Sequence, residues 1–129
     1  MPARNYRDLV AWKKAIELSL AIYRETANFP IEEKYGIASQ LRRASISIPS
    51  NIAEGQGRNS IAEFIHYLYF ASGSLKEMET QLLISDALGY IGSKQAAELM
   101  SMAAEVGCLI SGLSRSLGNR RRQPPHNTN

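Results

Sequence analysis

A long run of regularly spaced residues, all but the last apolar, lies in the middle of the chain and limits its possible folds more than any other feature. These residues alternate three and four positions apart: Ile61, Phe64, Leu68, Ala71, Leu75, Met78, Leu82 and Ser85. The spacing places them along one face of an α-helix, which we expect over about residues 60–88. A helix with one apolar face needs other helices to bury that face. The pattern therefore predicts a helical bundle.

Three further segments show helical spacing, and turn-forming residues separate them. A first helix is expected over about residues 8–27, with Asp8 as its N-cap. The second is expected to begin near Ile31–Glu33, where acidic residues suit the positive end of a helix dipole. The fourth, over about residues 93–118, carries Ala96, Leu99, Ala103, Val106, Ile110, Leu113 and Leu117. Because the links are short and no segment alternates like a strand, we predict an all-α fold, an antiparallel up-down-up-down four-helix bundle.

Glycines mark three places of interest in or between these helices. Gly73 lies mid-helix, where glycine costs ~1 kcal/mol relative to alanine, so we expect another backbone to approach closely there. The segment GQGRNS at 55–60 is expected to be a turn, with Asn59 or Ser60 capping the third helix. Gly118 and Asn119 are expected to end the fourth helix.

The second helix contains the least ordinary stretch, IASQLRRASISIPSNIAEGQGR at residues 37–58. Pro49 interrupts it, and short polar side chains surround the interruption. Because proline removes a backbone donor, we predict a kinked second helix with residues 45–51 lining the bend. One interpretation is a kinked core helix that ends at Gly55. The other is a shaped surface that presents arginines to an anionic partner. The motif residues are Pro49, Asn51, Glu54, Gly55 and Gly73.

This stretch also carries a resemblance to a known family. The segments YRDLVAWKKAIEL, FPIEEKYGIASQLRRA, LRRASISIPSNIAEGQGR and EFIHYLYFASGSLKEMETQLLISDALGYI occur in that order over roughly residues 6–118. They resemble the four-helix bundle proteins, also called 23S ribosomal RNA intervening-sequence proteins. The resemblance implies a bundle that assembles into a ring, a homopentamer. A more distant similarity is to the accessory variability determinant of diversity-generating retroelements, which implies nucleic acid and a reverse transcriptase as partners.

The net charge of +3 resides in one segment of the chain. Lysine and arginine balance aspartate and glutamate over residues 1–119, and the excess is Arg120, Arg121 and Arg122. We therefore expect a bundle over residues 1–119 and a basic, disordered tail over 120–129. The high pI then describes the tail and is weak evidence for nucleic-acid binding by the body.

The location expected from the sequence is the cytoplasm. No run of 18 apolar residues suggests a membrane span, and MPARNYRDL has no apolar core of a signal peptide. The single Cys108 cannot form an internal disulfide, which fits a reducing compartment. Between Val106 and Leu109 it is expected to be a small buried hydrophobe.

Catalytic chemistry is not expected. Glu63 and His66 have the Glu-x-x-His spacing of di-iron bundles, but those sites need a second such motif, and the other histidine is His126 in the tail. We therefore expect no metal and no cofactor. One cysteine and no Ser-His-acid set leave no nucleophile with its base, and no phosphate-binding loop is present. The chain is not expected to be an enzyme.

Two functions from different classes remain. The first is a module that binds RNA, DNA or a nucleic-acid-processing protein through arginine forks and lysines. Its candidate residues are Lys13, Lys14, Arg42, Arg43, Arg58, Arg120, Arg121 and Arg122. The second is a purely structural homo-oligomer, in which Arg42 and Arg43 pair with Glu54, Glu32 or Glu33 at subunit contacts. Broad apolar faces on the first and third helices predict self-association in both cases, and the resemblance favours the first.

Overall fold

Four long helices make up the part of the chain that the structure describes, residues 5–122 of a computed structural model. They are α1 (Val10–Thr26), α2 (Ile37–Gln56), α3 (Ile61–Ala87) and α4 (Ser93–Arg122), and two 3-10 turns, Tyr6–Asp8 and Ile31–Glu33, precede α1 and α2. Each helix packs against the next, and α4 closes the bundle against α1. Residues 5–122 contain no strand. The predicted all-α four-helix bundle is confirmed.

The core follows the apolar spacing of the sequence. On α3 the buried residues include Leu68, Ala71, Leu75, Met78, Leu82 and Ser85. On α4 they are Ala96, Leu99, Ala103, Val106, Ile110 and Leu117. The first two positions of the α3 pattern, Ile61 and Phe64, are only half-buried, because α3 begins at the end of the bundle. A fully buried leucine or isoleucine contributes ~1.5–3 kcal/mol by burial, so this core accounts for the fold.

The starts of the first two helices differ from the predictions. The N-cap of α1 is Leu9, and Asp8 belongs to the preceding 3-10 turn. Gly36 is the N-cap of α2, so the helix does not begin at Ile31–Glu33. Glu33 instead accepts a hydrogen bond of 2.9 Å from the Tyr90 hydroxyl, which fixes this turn against the loop between α3 and α4. That hydrogen bond also raises the pKa of Tyr90.

Pro49 lies inside α2, and the helix continues to Gln56. Because proline has no N–H, the carbonyl of Ser45 loses its usual partner four residues later. The Ser19 hydroxyl of α1 donates to this carbonyl at 2.8 Å. Ser45 is completely buried and Ser19 nearly so, so water does not substitute for the bond. The carbonyl group that Pro49 leaves without its usual partner thus forms a hydrogen bond that links α2 to α1. Continuity across Pro49 is confirmed, and the kink itself stays a prediction.

This hydrogen bond leads to a prediction about stability. Ser19→Ala leaves a buried carbonyl without a donor, and we expect the free energy of unfolding to fall by ~1–2 kcal/mol. In a Pro49→Ala background the new N–H of residue 49 can bond the same carbonyl, so the cost of Ser19→Ala should be smaller. Urea unfolding of the parent, of the Ser19→Ala and Pro49→Ala variants and of the double variant measures both costs. Equal costs in the two backgrounds would contradict the role given to the Ser45 carbonyl.

The two motif glycines behave differently from the predictions. Gly55 lies within α2, not in the turn, and a Cβ built on it would be 2.7 Å from the Cβ of Tyr67 and 3.2 Å from the carbonyl oxygen of Phe64. Gly73 is exposed, and a Cβ there would meet no atom within 4 Å. Within residues 5–122 of the single chain, the close approach predicted at Gly73 does not occur. The backbones of α2 and α3 approach at Gly55 instead.

The last helix also differs from its predicted form. It continues through Gly118 and Asn119 to Arg122, so the expected end at Gly118 is wrong. Arginine is a good helix former and a cation suits a helix C-terminus, which favours continuation. Residues 123–129 of the expected tail lie outside the described residues. Cys108 is exposed rather than buried, because it is two positions from Val106 and Ile110 and so points away from their stripe.

Candidate functional site

Arginines from one helix and one turn meet at one end of the bundle, where α1 and α3 begin and α2 and α4 end. We call this the basic end and define it by Arg58, Arg115, Arg120, Arg121 and Arg122. Arg58 lies in the turn between α2 and α3, and the other four lie on the last turns of α4. All five side chains are exposed. Two helix N-termini and two helix C-termini also meet here, so their dipoles largely cancel and the side chains determine the local charge.

A cavity of about 440 Å³ opens at the basic end between α1, α3 and α4. Its apolar part consists of Leu9, Ile61, Phe64, Leu113 and Leu117. Its polar part consists of Gln56, Arg58, Asn59, Ser60, Ser116 and Arg120. Ser60 caps α3, since its Oγ accepts from the N–H of Glu63 at 3.1 Å. The predicted cap is confirmed, and it fixes the turn that carries Arg58.

A second cavity of about 530 Å³ lies on the surface formed by α4 and the start of α3. Its lining contains Arg115, Arg121 and Arg122 together with Ile65, Ser114, Gly118 and Asn119. Neither cavity's lining contains an acidic residue. Since guanidinium groups attract anions and neither lining adds a carboxylate, both cavities favour a negatively charged ligand.

The side chain of Arg58 is held by its neighbours. Its Nη2 donates to Glu54 Oε1 at 2.9 Å and to the Tyr67 hydroxyl at 2.6 Å. Its guanidinium carbon is 4.8 Å from the centroid of the Tyr67 ring. An arginine held in this way loses less conformational entropy when it binds a ligand than a mobile one does. The ion pair with Glu54 also lowers the net charge that Arg58 contributes.

The two lysine candidates lie in the first turns of α1, near the same end. Lys14 forms ion pairs with Glu105 of α4 at 3.6 Å and with Glu17 at 3.4 Å. These carboxylates, Glu105 above all, raise the pKa of Lys14, and they pair with its ammonium group within the bundle. Lys13 is exposed and has no ion pair within residues 5–122. Of the two, Lys13 is therefore better placed for an external anion.

Arg42 and Arg43 lie towards the opposite end of the bundle, where α1 ends and α2 begins. Arg42 Nε donates to Thr26 Oγ1 at 2.8 Å, and its guanidinium carbon is 4.8 Å from the centroid of the Tyr23 ring. Its Nη2 lies 3.4 Å from the Tyr23 carbonyl oxygen at the C-terminus of α1. Arg43 is exposed and makes no ion pair with another described residue. The structure therefore does not bring the arginine pair together with Arg58.

Arg42 and Arg43 form a matched pair for a test. Arg42→Ala removes the charged group that donates a hydrogen bond to the buried hydroxyl of Thr26. We therefore expect a loss of ~1 kcal/mol in the free energy of unfolding. Arg43→Ala changes an exposed side chain and should stay within ~0.5 kcal/mol of the parent. Thermal unfolding at one protein concentration compares them. An equal effect of the two changes would remove the structural role assigned to Arg42.

The remaining motif residues make polar contacts within α2 and with the turn that follows it, beside a hydrogen bond that joins α2 to α3. Asn51 Nδ2 donates to the carbonyl of Ser47 at 2.8 Å, and Ser74 Oγ donates to Ser47 Oγ at 2.9 Å. Glu54 pairs with Arg58. These contacts explain the crowding of short polar side chains near Pro49. Within residues 5–122, no three His, Cys, Asp or Glu side chains lie close enough together to hold a metal ion.

α4 is the described helix whose length and composition would allow it to cross a membrane. Its buried residues, from Ala96 to Leu117, supply one side of the core. A core helix of a bundle has the same apolar composition as a membrane span, so composition alone does not separate the two. Because α4 packs against both α3 and α1, we interpret it as a bundle helix.

Sequence reasoning missed Arg115 and the two cavities. Arg115 stands alone between Ser114 and Ser116, without the clustering that draws attention to Arg120–Arg122. Its spacing of five to seven residues from those arginines would place them on neighbouring faces only if the helix continued past Gly118. Because the helix was expected to end at Gly118, the sequence did not indicate that Arg115 lies near Arg120, Arg121 and Arg122.

Comparison with known proteins agrees with this architecture. The family model of the 23S rRNA-intervening sequence proteins matches residues 7–112. A crystal structure of a protein of unknown function from the S23 ribosomal protein family of Bacteroides thetaiotaomicron VPI-5482 is similar, with a TM-score of 0.74 and 25% sequence identity. The similarity covers 81% of this chain and 98% of that one. No functionally curated protein matched the sequence. The chain therefore belongs to the family of 23S rRNA-intervening sequence proteins.

Proposed function

We propose that this protein is a non-enzymatic module that binds nucleic acid through the phosphate backbone, and that the basic end of the bundle is the binding surface. The observation that carries the proposal is that Arg58 and Arg120, 62 positions apart in the sequence, line one cavity whose lining contains no acidic residue. Arg115, Arg121 and Arg122 continue the positive surface beside it. Arginine forks suit phosphate oxygens because they donate two parallel hydrogen bonds.

The family name adds support, because it refers to an insertion in ribosomal RNA. Phosphate contacts alone would give affinity with little sequence selectivity, so RNA and DNA are both expected ligands. A nucleic-acid-processing protein such as a reverse transcriptase is a further partner that we propose from the distant resemblance. The expected location of such a module is the cytoplasm.

A different role for the basic residues has to be distinguished from this one. Arginines in the last turn of a helix stabilise it by ~0.3–1 kcal/mol each through the helix dipole. Arg120, Arg121 and Arg122 occupy that position on α4. A purely stabilising role predicts a change in unfolding when they are replaced and no binding by the parent.

The test is a binding titration with the full chain. A fluorescent single-stranded RNA and a DNA of the same sequence are titrated with the protein by anisotropy at ~50 mM and ~200 mM salt. The proposal predicts binding of both at low salt and a steep loss of affinity at the higher concentration. Absence of binding to either ligand at low salt would overturn it. The absorbance ratio at 260 and 280 nm before and after a high-salt wash checks for nucleic acid that copurifies.

We further propose that the protein is a homo-oligomer, as the family resemblance implies for a pentameric ring. Large apolar side chains on the outer face of α3 support self-association: Tyr69 is 78% exposed, Phe70 49%, Leu83 53% and Ile84 47%. Monomers rarely leave this much apolar surface in water. A ring would present several basic ends to one polyanion and so raise its affinity.

The same exposed face favours the second candidate function, a structural oligomer without nucleic-acid binding. Sedimentation equilibrium at micromolar concentration tests the assembly, and a stable monomer would contradict it. If the protein assembles and the binding titration is negative, the structural function replaces the binding module.

A further inference from the structure

We propose that the cavity at the basic end binds one unpaired nucleotide, with its base in the apolar part and its phosphate at Arg58 and Arg120. This inference rests on the proposed function and specifies which nucleic acid the surface selects. It predicts a preference for single strands over duplexes, which charge alone would not give.

The composition of the cavity matches that of a nucleotide. Its volume of about 440 Å³ lies within the roughly 300–1,000 Å³ of small-molecule sites. One part of the lining is apolar and includes Phe64, and the other part carries Arg58 and Arg120. A nucleotide has the same division, because the flat faces of its base are apolar and its phosphate is charged. A phosphate alone would leave the apolar part unfilled.

The ring of Phe64 is placed to stack on a base. It is half-buried, and it is absent from the aromatic pairs formed within residues 5–122. An aromatic ring beside arginines is the common means of holding a splayed base. A base in a duplex is stacked on both faces and paired along one edge, so it cannot enter a concave cavity without being extruded. The cavity therefore favours single strands.

The cavity is accessible to a ligand from solvent. Arg58, Asn59, Ser60, Ser116 and Arg120 are all exposed, so the polar side of the cavity opens to solvent. Ser60 is the N-cap of α3 and Asn59 directly precedes it, and Arg58 is already held by Glu54 and Tyr67. A site whose polar groups are held in place loses less entropy on binding.

The experiment compares two RNA ligands and two tryptophan variants. The ligands are a short oligouridine of about ten nucleotides, which forms no pairs, and an RNA duplex with strands of the same length. We expect the parent to bind the oligouridine at least ~10-fold more tightly than the duplex, since one base gains a stacking contact. Ser116→Trp fills the cavity from an exposed position and removes no charge. It should abolish the preference and leave duplex affinity within about twofold, because the phosphate contacts remain.

Ser101→Trp is the matched control, because Ser101 is exposed on the same helix and lines neither cavity of the basic end. It should keep the preference. Equal affinity of the parent for the two ligands, or an unchanged preference in a folded Ser116→Trp variant, would overturn this inference and leave the proposed function standing. Should that variant not fold, the ratio measured for the parent decides. Binding of neither RNA would remove the proposed function itself.

A charge-matched polyglutamate peptide serves as the competitor. If it displaces the oligouridine and the duplex equally well, the preference does not come from the cavity and the inference fails. If it displaces the duplex much more readily than the oligouridine, the single strand has a contact beyond charge, as proposed.

Discussion

Replacing Gly55 with alanine is expected to lower the free energy of unfolding by ~2 kcal/mol, within the usual cost of inserting a methyl group into a packed contact. The new Cβ would lie 2.7 Å from the Cβ of Tyr67 and 3.2 Å from the carbonyl oxygen of Phe64. Neither atom is the end of a flexible side chain, so α2 and α3 have to separate. The same shift would disturb Phe64 and the cavity beside it.

Gly73→Ala is the matched control, since both glycines lie in helices. A Cβ added at Gly73 would have no atom within 4 Å, so the gain in helix propensity should stabilise the bundle by up to ~1 kcal/mol. Urea unfolding measures the difference between the two variants, which should be ~2–3 kcal/mol. A Gly55→Ala variant as stable as the Gly73→Ala variant would contradict the close approach of α2 and α3.

The Gly73 variant also provides information on assembly. If a partner subunit packs closely against Gly73, alanine should weaken the oligomer even though it stabilises the single chain. Sedimentation of the variant and of the parent at the same concentration separates these effects. Weakened assembly would give Gly73 the close contact that the sequence suggested, at a surface between subunits.

Replacing Arg120, Arg121 and Arg122 with glutamine is expected to lower the affinity for nucleic acid by ~10- to 100-fold near ~100 mM salt. Each lost phosphate contact reduces the salt slope by about 0.7 for a single strand and 0.9 for a duplex. The triple variant should therefore show a slope smaller by ~2 or more. Glutamine preserves helix propensity, so α4 should persist.

The control variant replaces Lys34, Arg43 and Lys94 with glutamine. It removes the same charge from exposed positions at the opposite end of the bundle. Its affinity should stay within ~3-fold of the parent, because the charges there are more than a Debye length, ~10 Å, from the basic end. An equal loss in both triple variants would mean that net charge, rather than the basic end, governs binding. Circular dichroism and sedimentation on the same samples verify fold and assembly.

The fold could be predicted well from the sequence because spacing alone determines which face of each helix is apolar. The stripes on α3 and α4 are the buried stripes of the structure, and Ser60 is the cap of α3. Pro49 likewise marks the unusual part of α2. What spacing cannot provide is the partner of a group on another helix. The hydroxyl that satisfies the Ser45 carbonyl is Ser19, 26 positions earlier.

The candidate site could be predicted only in part for the same reason. Charge clustering in the sequence draws attention to Arg42 and Arg43, yet Arg42 contacts Thr26 and Tyr23 of α1. Arg58 and Arg120 lie far apart in the sequence, and only the antiparallel packing of the helices brings them to one cavity. In the same way, a single apolar stripe does not specify which glycine meets a neighbouring helix.

Photo-cross-linking tests most directly whether the basic end binds nucleic acid. An oligouridine that contains 4-thiouridine is irradiated with the full-length protein at low salt, and the attached peptides are identified by mass spectrometry. We expect cross-links within residues 56–64 and 113–122, which diminish in the Arg120, Arg121 and Arg122 triple variant. Cross-links concentrated within residues 23–46, around Arg42 and Arg43, would contradict binding at the basic end.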